Sequence, residues 1–406
     1  MKPKSFMLIA GEASGDVLAA ELVRALRQEL AEAKAIPTTD CQPLHTSLEP
    51  RFFGAGGPQM AAAGVDLAFD MTEHSVIGLS DALKHYFKFR RLLHQLFHLA
   101  LERQPDAIIC VDFSGFNRRF AQAIRQYTHA RNDWFHDWKP KIIQYVSPQV
   151  WASREGRAYQ MARDYDAVLS IFPFEKDWYA KRVPQLRVEF VGHPNAERFG
   201  EWQVASGVRR GDKGKPLLLL LPGSRTSELA RHLPVMLEAL VLIRAQLQNL
   251  RARMVLPNET LVRQAKALRL PVALEVQVGG LPESLREADV AIASTGTVTT
   301  ECAYFGVPTV ALYKTSWTTW QIARHIVKVK YAAMPNLLAN EEIFPEFIQD
   351  AAVPENIAKA ALELLRDEGR RVRVKSRLAE VVASLGGPGA TRRAAHVVVE
   401  LLKAEP

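Results

Sequence analysis

Short apolar runs alternate with stretches of helical periodicity along most of this chain. Residues 108–111 (IICV) and 217–220 (LLLL) are apolar at every position, as in strands that are buried on both faces of a parallel sheet. Many such runs lead into Gly, Ser, Pro or Asn and then into a helical pattern, which is typical of repeated β–α units. The pattern therefore predicts an α/β protein. The predicted strands are residues 5–10, 107–111, 141–146, 167–171, 188–191, 217–221, 253–256, 290–293 and 309–312.

Two domains are predicted from the length of 406 residues and from one break in composition. Residues 201–216 are charged and rich in glycine, which indicates a linker. We expect a first α/β domain at residues 1–205 and a second at residues 206–370. The tail at residues 371–406 is expected to be helical.

The composition limits the classes of function. With 48% hydrophobic and 24% charged residues the chain is an ordinary globular protein, and its net charge of +8 favours anionic partners. Three scattered cysteines argue against a disulfide framework and suit the cytosol. No apolar run approaches the roughly 20 residues of a membrane-spanning helix, and the N-terminal run is too short for a signal peptide. We expect no cofactor, no metal site and no nucleic acid partner, because the corresponding motifs are absent from the sequence.

The first predicted strand ends in the turn GEASGD, in which Ser14 or Asp16 is placed to cap the following helix. Open α/β sheets bind ligands at the carboxyl ends of their strands. Glu12, Ser14 and Gly15 are therefore candidate substrate-binding residues, although a plain structural turn explains them equally well. A second glycine-rich loop, at residues 51–58, is expected to face the same site.

Polar residues also follow other predicted strands of the first half. Asp112 comes directly after a buried strand, where a carboxylate is poorly solvated and held in one orientation, as a general base requires. The alternative is an Asp that caps a helix beginning near Asn117. Ser147 lies in the rigid turn SPQVWA, which either lines a sugar or acyl pocket or is structural. His193 is open to acid–base chemistry or to packing.

The turn LPGSR in the second half combines small residues with one permanent positive charge. Backbone N–H groups at Gly223 and Ser224 and the guanidinium of Arg225 can converge on an anion at a helix start. The helix dipole disfavours an arginine at this end, and a bound anion would remove that penalty. We therefore predict that Arg225 stabilises a phosphate leaving group.

A second turn of the phosphate-binding type, STGT, opens another predicted helix with Gly296 and Thr297. Glu301, one turn further along, could accept hydrogen bonds from ribose hydroxyls. Each of the two turns is also explained as an ordinary capped helix start. Together they indicate a nucleotide diphosphate sugar, with the helix N-termini and Arg225 offsetting the leaving-group charge.

Two stretches, residues 83–103 and 317–331, combine Lys and Arg with large apolar side chains. Basic amphipathic helices bind anionic membrane surfaces, which makes both stretches candidates for membrane contact. The alternative for each is a helix that faces the core and exposes a basic side to solvent.

Several of these motifs together resemble the lipid-A-disaccharide synthase family, in the family's order and over nearly the whole chain. The motifs are GEASGD at residues 11–16, Asp112 with Phe116 and Asn117, YVSPQVWA at residues 145–152, FPFEK at residues 172–176, Gly192 with His193, LPGSR at residues 221–225, and PNLLA at residues 335–339.

The resemblance implies a GT-B fold, in which two Rossmann-like domains with parallel sheets face a central cleft and the last helices return to the first domain. It implies an inverting glycosyltransferase that moves 2,3-diacylglucosamine from UDP to the 6-hydroxyl of 2,3-diacylglucosamine 1-phosphate. The acceptor would bind the first domain and the UDP-sugar the second. The family's base corresponds to Asp112, its essential arginine to Arg225, its substrate-binding asparagine to Asn336, and its ribose contact to Glu301.

The resemblance also implies a cytoplasmic protein that is peripheral on the inner face of the inner membrane, with a homodimer as an open alternative for its assembly. The sequence departs from the family at Gly115, where a second acid is common, and in the STGT turn, which is one residue longer. Residues 132–140 resemble a local insertion, which is a further candidate for lipid contact. The competing hypotheses for the function are a UDP-N-acetylglucosamine 2-epimerase, a peptidoglycan lipid II glycosyltransferase, and a nucleotide-binding scaffold without turnover.

Overall fold

The computed structural model describes five stretches of the chain, residues 3–34, 49–72, 82–131, 137–205 and 215–403. The contacts divide the chain into two compact units. Unit 1 comprises Met1–Pro194 and Gly387–Pro406, and unit 2 comprises Asn195–Gly386. Most of the predicted linker, residues 206–214, and residues 132–136 of the predicted insertion lie outside the described residues.

Unit 1 is built on a parallel sheet of seven strands in the order β3-β2-β1-β4-β5-β6-β7. Its central strands β1 and β4 are almost entirely buried, because helices cover both faces of such a sheet. The strands are β1 (Ser5–Ala10), β2 (Arg51–Gly56), β3 (Asp66–Asp70), β4 (Ala107–Val111), β5 (Lys141–Tyr145), β6 (Ala167–Ser170) and β7 (Arg187–Phe190).

The helices of unit 1 connect successive strands, as parallel pairing requires. Those before the crossing into unit 2 are α1 (Ala13–Lys34), α2 (Pro58–Ala62), α3 (Ala82–Arg103), α4 (Ser114–Ala130), α5 (Val150–Ser153), α6 (Arg157–Asp164) and α7 (Pro173–Ala180).

Unit 2 is built on a parallel sheet of six strands in the order β10-β9-β8-β11-β12-β13. The strand β8 is buried at each of its five positions. The strands are β8 (Leu217–Leu221), β9 (Arg251–Leu256), β10 (Leu274–Val278), β11 (Val290–Ser294), β12 (Thr309–Tyr313) and β13 (Glu346–Ile348). The helices are α8 (Asn195–Ala205), α9 (Thr226–Gln246), α10 (Glu259–Lys266), α11 (Leu281–Glu287), α12 (Thr297–Tyr304), α13 (Trp317–Ile326), α14 (Met334–Ala339), α15 (Pro354–Arg366) and α16 (Glu368–Ser384).

The last helix, α17 (Ala390–Lys403), packs against α1 in unit 1. Arg392 forms ion pairs with Glu29 and Glu32 at 3.0 and 2.7 Å, and Arg393 Nε donates to the Val191 carbonyl at 2.7 Å. The expected return of the chain end to the first domain is confirmed. The contacts place α8 and α16 in unit 2, whereas the sequence-based boundaries at 205 and 370 put them with the first and third segments.

The nine predicted strands are present, with ends that differ by at most two residues. The strands β3, β10 and β13 were not predicted, because they lie at or near sheet edges and carry polar or exposed residues. The prediction of a glycine-rich loop at residues 51–58 is wrong over most of its length. Gly54 and Gly56 lie inside β2, and a Cβ on Gly54 would stand 1.9 Å from the Leu8 carbonyl oxygen, so that only glycine allows this close approach.

Candidate active site

Asp112 lies between β4 and α4, in a backbone conformation that few residues other than glycine adopt. Its φ is 48° and that of Phe113 is 43°, in the left-handed region that costs roughly 1–3 kcal/mol for such residues. The Asp112 N–H donates to the Tyr145 carbonyl at 2.9 Å, which ties the turn to the neighbouring strand β5. Strain of this kind persists only where the surroundings impose it, and it concentrates at functional sites.

Two buried amide side chains impose the conformation of this turn. Asn117 Nδ2 donates to the Asp112 carbonyl at 2.9 Å. Gln144 Nε2 donates to the same carbonyl at 3.2 Å and to the Val146 carbonyl at 3.2 Å. Val146 is itself left-handed, with φ of 66°. The carbonyl oxygens of both amides are buried without a partner among the described residues. Unpaired buried acceptors lower stability, so the fixed geometry of the Asp112 turn is maintained at a cost in stability.

The GEASGD turn lies against Asp112. A Cβ on Gly15 would stand 3.9 Å from the Asp112 Cβ, so the two turns meet at the edge where β1 and β4 end. Glu12 is half-buried and Ser14 is exposed. The sequence predicts Asp16, as an alternative to Ser14, as the cap of α1, but Asp16 does not have this role. Its carboxylate accepts hydrogen bonds from three backbone N–H groups at the start of α2, at 2.8–3.0 Å.

Ser147 is buried beneath the end of β5 rather than exposed at the edge. Its hydroxyl donates to Tyr179 Oη at 3.3 Å, and Trp151 Nε1 donates to Glu175 Oε1 at 2.9 Å in the same cluster. Burial raises the pKa of Glu175 to about 8, although hydrogen bonds from Trp151 and the Phe172 backbone oppose the shift. This cluster fixes the SPQVWA turn from below. His193 is also buried, with its ring 5.7 Å from that of Phe172.

In unit 2, the LPGSR turn is open to solvent where β8 ends. The Arg225 side chain is 63% exposed, and its Nη1 lies 3.1 Å from Glu228 Oε1. The other oxygen of Glu228 accepts the Ser224 N–H at 3.2 Å, and Gly223 has φ of 119°. Glu228 thus supplies a carboxylate at the helix start. In the free protein Glu228 therefore offsets the charge of Arg225, the role that the sequence predicts for a bound anion.

His232 joins this turn to the segment that follows β12. It is fully buried in α9, with Nδ1 2.9 Å from the Pro222 carbonyl oxygen and Nε2 3.0 Å from the Lys314 backbone nitrogen. The neutral ring satisfies both contacts, donating from Nδ1 and accepting at Nε2, and burial lowers the pKa of His232. Sequence reasoning missed this residue, although a histidine on the apolar face of a helix was a usable signal.

The STGT turn forms the exposed start of α12. Gly296 precedes the helix with φ of 138°, and Gly296 and Thr297 are both exposed. Glu301 lies one turn further along, and burial raises its pKa to about 7 while the charge of Arg198 opposes the shift. Backbone N–H groups and a poised carboxyl group therefore lie within one turn of each other on the same helix.

Asn336 is enclosed within unit 2. Its Oδ1 accepts the N–H groups of Ile343 and Phe344 at 2.9 and 2.8 Å, and its Nδ2 donates to the Phe344 carbonyl and to Glu346 Oε1 at 2.7 Å each. The amide is thus engaged on both sides in holding the loop that follows α14. The structure gives it this architectural contact and brings it to no exposed surface.

The two basic stretches differ in what their apolar side chains do. In α3, Leu92 and Leu96 are buried in the core of unit 1, which matches the core-facing alternative, while Phe87 is 60% exposed. The helix α13 buries none of its residues, and Trp317 is 70% exposed. Trp138, in the described part of the predicted insertion, donates to the Pro105 carbonyl at 2.9 Å.

The structure brings Gly15, Asp112 and the end of β5 together in unit 1, and it places the two anion-type turns in unit 2. Sequence reasoning missed the amide of Gln144, although a polar residue inside an apolar strand was a signal for it. Within the described residues, no group of three or more His, Cys, Asp or Glu side chains is placed to hold a metal ion. No helix in the described part of the chain is long and apolar enough to cross a bilayer.

Comparisons with known proteins show the family of the chain. Residues 6–400 match the family model described as lipid-A-disaccharide synthetase. The lipid-A-disaccharide synthase of Trichlorobacter lovleyi is 35% identical over 413 residues, which cover 99% of this chain and 98% of that protein.

Solved structures share the fold at low sequence identity. The UDP-GlcNAc 2-epimerase of Neisseria meningitidis, bound to UDP-GlcNAc, aligns with a TM-score of 0.62 at 10% identity and covers 99% of this chain and 100% of its own. MurG of Acinetobacter baumannii aligns with a TM-score of 0.53 at 15% identity, over 98% of this chain and 100% of its own. At these identities the likeness shows the GT-B type of fold alone.

Proposed function

This chain belongs to the lipid-A-disaccharide synthase family, and we propose that it transfers 2,3-diacylglucosamine from its UDP donor to the 6-hydroxyl of 2,3-diacylglucosamine 1-phosphate. The products are the disaccharide 1-phosphate and UDP, with inversion at the anomeric carbon. The single observation that carries the mechanism is the strained turn at Asp112, which two buried amides hold beside Gly15.

In this mechanism Asp112 is the general base. Its carboxylate removes the proton of the acceptor 6-hydroxyl as that oxygen attacks the anomeric carbon from the face opposite UDP. A base acts only when it is oriented toward the proton that it takes, and the hydrogen bonds from Asn117 and Gln144 fix the backbone that carries it. Glu12, Ser14 and Gly15 lie on the adjoining turn and contact the acceptor.

Unit 2 binds the donor. Arg225 and the N–H groups of Gly223 and Ser224 offset the charge that develops on the leaving diphosphate, as preorganised donors do in group transfer. The exposed start of α12 at Gly296 and Thr297 binds the other phosphate group of the UDP diphosphate. Glu301 accepts hydrogen bonds from the ribose hydroxyls. In this proposal Ser147 and Asn336 shape the substrate loops through their buried contacts.

Both substrates carry acyl chains, so the protein must reach a lipid surface. We place that contact at α13, because Trp317 and Ile322 are 70% and 61% exposed and Arg324 and His325 lie in its last turn. Exposed aromatic and basic side chains on one helix favour an anionic interface. The proposed location is the cytoplasmic face of the inner membrane, and a homodimer is compatible with this arrangement but not required by it.

The test is to incubate the protein with UDP-2,3-diacylglucosamine and 2,3-diacylglucosamine 1-phosphate and to follow UDP release and the disaccharide by mass spectrometry. We expect one UDP per disaccharide. Incubation with UDP-N-acetylglucosamine alone distinguishes an epimerase, which would interconvert that sugar without an acceptor. Donor consumption without disaccharide would refute the proposed transfer.

A further inference from the structure

Four arginines lie together in unit 1, on the segments that follow β4 and β5. Arg118 and Arg119 belong to α4, whereas Arg154 and Arg157 lie on either side of the turn between α5 and α6. We call these four residues the arginine cluster. Burial, and then repulsion by the other three guanidinium groups, lower the pKa of Arg157. Their positive charges are therefore close enough to act on one another.

The cluster lies beside the candidate base. Arg118 and Arg157 line a narrow recess together with Ser114 and Pro148. Ser114 is the first residue of α4, two positions after Asp112. The recess is therefore near the edge where β4 and β5 end.

Protein carboxylates leave this positive charge uncompensated. No member of the cluster forms an ion pair with any carboxylate in the described stretches of the chain. The acids that neighbour it in sequence are committed elsewhere: Glu155 lies 3.6 Å from Arg182, and Asp164 lies 2.8 Å from Arg163. Several cations held together without counter-charges cost free energy in the absence of a ligand.

The hydrogen-bonding capacity of the cluster is also unfilled. Arg118 Nη1 donates to Gln160 Oε1 at 2.7 Å, while Arg118 Nε is buried without a partner among the described residues. Arg157 is the first residue of α6, which has no side-chain cap. A cation is disfavoured at a helix start. A phosphate bound at the start of α6 would reduce the repulsion between the guanidinium groups and would interact favourably with the helix dipole.

We propose that the arginine cluster binds the phosphate monoester of the sugar 1-phosphate acceptor. The inference rests on the proposed function, which supplies such an acceptor. Guanidinium groups bind phosphate oxygens in bidentate fashion with strong, charge-assisted hydrogen bonds. A phosphate held on C1 fixes the orientation of the sugar, so that the 6-hydroxyl, on the exocyclic carbon attached to C5, faces Asp112. The cluster would thereby select phosphorylated acceptors and orient them.

The test is steady-state kinetics of Arg157→Gln in nonionic detergent micelles, with acceptors that carry or lack the 1-phosphate. We expect the KM for 2,3-diacylglucosamine 1-phosphate to rise about 10-fold or more, with the donor KM unchanged. On 2,3-diacylglucosamine the variant and the unsubstituted protein should be equal, since no phosphate is present. Arg157→Lys should recover part of the loss.

The matched control is Arg24→Gln, which removes one exposed arginine of unit 1 outside the cluster. It should leave both acceptors unaffected. A loss in Arg157→Gln that is the same for both acceptors would indicate a structural role and overturn the proposal. An unchanged KM for the phosphorylated acceptor would also overturn it.

Two further measurements separate the alternatives. Sedimentation with phosphatidylglycerol vesicles distinguishes a lipid headgroup from the acceptor phosphate: vesicle binding lost in Arg157→Gln, with KM in micelles unchanged, would overturn the proposal. Equilibrium binding of 2,3-diacylglucosamine 1-phosphate needs no turnover. If the protein forms no disaccharide but binds this compound, and Arg157→Gln binds it at least 10-fold more weakly, the proposed function fails while the site stands. Equal binding by both proteins would remove the site.

Discussion

The two units hold their candidate site residues in opposite ways. In unit 1, Asp112 lies in a left-handed turn that Asn117 and Gln144 fix through buried hydrogen bonds. In unit 2, Arg225 is 63% exposed and pairs with Glu228 on its own helix. The first arrangement fixes the backbone and lowers the stability of the fold, whereas the second is exposed to solvent and has little effect on stability.

The difference indicates which chemical task suits the sheet edge at Asp112 and which suits the sheet edge at Arg225. A general base must be oriented before the proton leaves, so fixed backbone geometry around Asp112 is useful even at a cost in stability. A group that binds a large anion must exchange partners as the ligand arrives and leaves. Glu228 keeps Arg225 paired in the free protein, and an exposed ion pair of this kind is worth little, so a diphosphate can replace it.

The most severe test of the rigid edge is Asp112→Asn, which keeps the shape of the side chain and removes the base. We expect kcat to fall by about 100- to 10,000-fold, with the donor KM nearly unchanged, as measured by the steady-state rate of disaccharide formation. Asp177→Asn, an exposed site elsewhere in unit 1, is the control and should be neutral. Near-normal turnover of Asp112→Asn would remove the base assignment.

The open edge is tested by Arg225→Ala. Loss of the guanidinium should lower kcat/KM for the donor by about 100- to 1,000-fold without a change in the melting temperature, because the side chain is exposed. Arg231→Ala, an exposed position in the helix that Arg225 precedes, should have little effect. If Arg225→Ala were instead to unfold the protein and leave turnover intact in the folded fraction, the comparison between the edges would be reversed.

Gln144→Leu tests whether rigidity itself matters in unit 1. The substitution removes the Gln144 amide from the Val146 carbonyl and leaves the Asp112 carbonyl with the donor from Asn117. We expect the free energy of unfolding to fall by about 1–3 kcal/mol. We also expect kcat to fall by roughly 10-fold, as a misplaced base would lose part of its contribution. Urea unfolding and kinetics measure the two effects. Gln126→Leu on the exposed side of α4 controls for the change of residue type, and a stable but fully active Gln144→Leu would contradict the role of the clamp.

The smallest expected effect concerns Glu301, whose pKa burial raises to about 7. The ionised carboxylate accepts stronger hydrogen bonds from hydroxyl groups than the neutral acid does, so the donor KM should fall a few-fold as the pH rises from 6 to 8. The sign for stability is the reverse: since the folded pKa is raised, the contribution to folding is lost as the pH rises through 7. Glu301→Gln should have a donor KM without this pH dependence. A KM that rises with pH would exclude the ribose contact.

The sequence by itself determined most of the fold. The runs at 108–111 and 217–220 are apolar at every position because helices cover both faces of the central strands, and this pattern was sufficient to predict two parallel sheets. It also indicated Asp112, which directly follows a buried strand, and Arg225, a cation in the turn between a buried strand and a helix. Edge strands such as β3 escaped detection, because a half-exposed strand alternates polar and apolar residues as many loops do.

Only the tertiary structure decided what surrounds each of these residues. Periodicity places a residue on an element, but hydrogen-bond partners such as Gln144 for Asp112 come from different segments of the chain. The same holds for Asp16, which caps the distant helix α2 and not its own. It holds too for the arginine cluster, whose members lie on two segments and become one site only when β4 and β5 pair. Contacts between residues far apart in sequence depend on packing, and packing is not written in the local pattern of a chain.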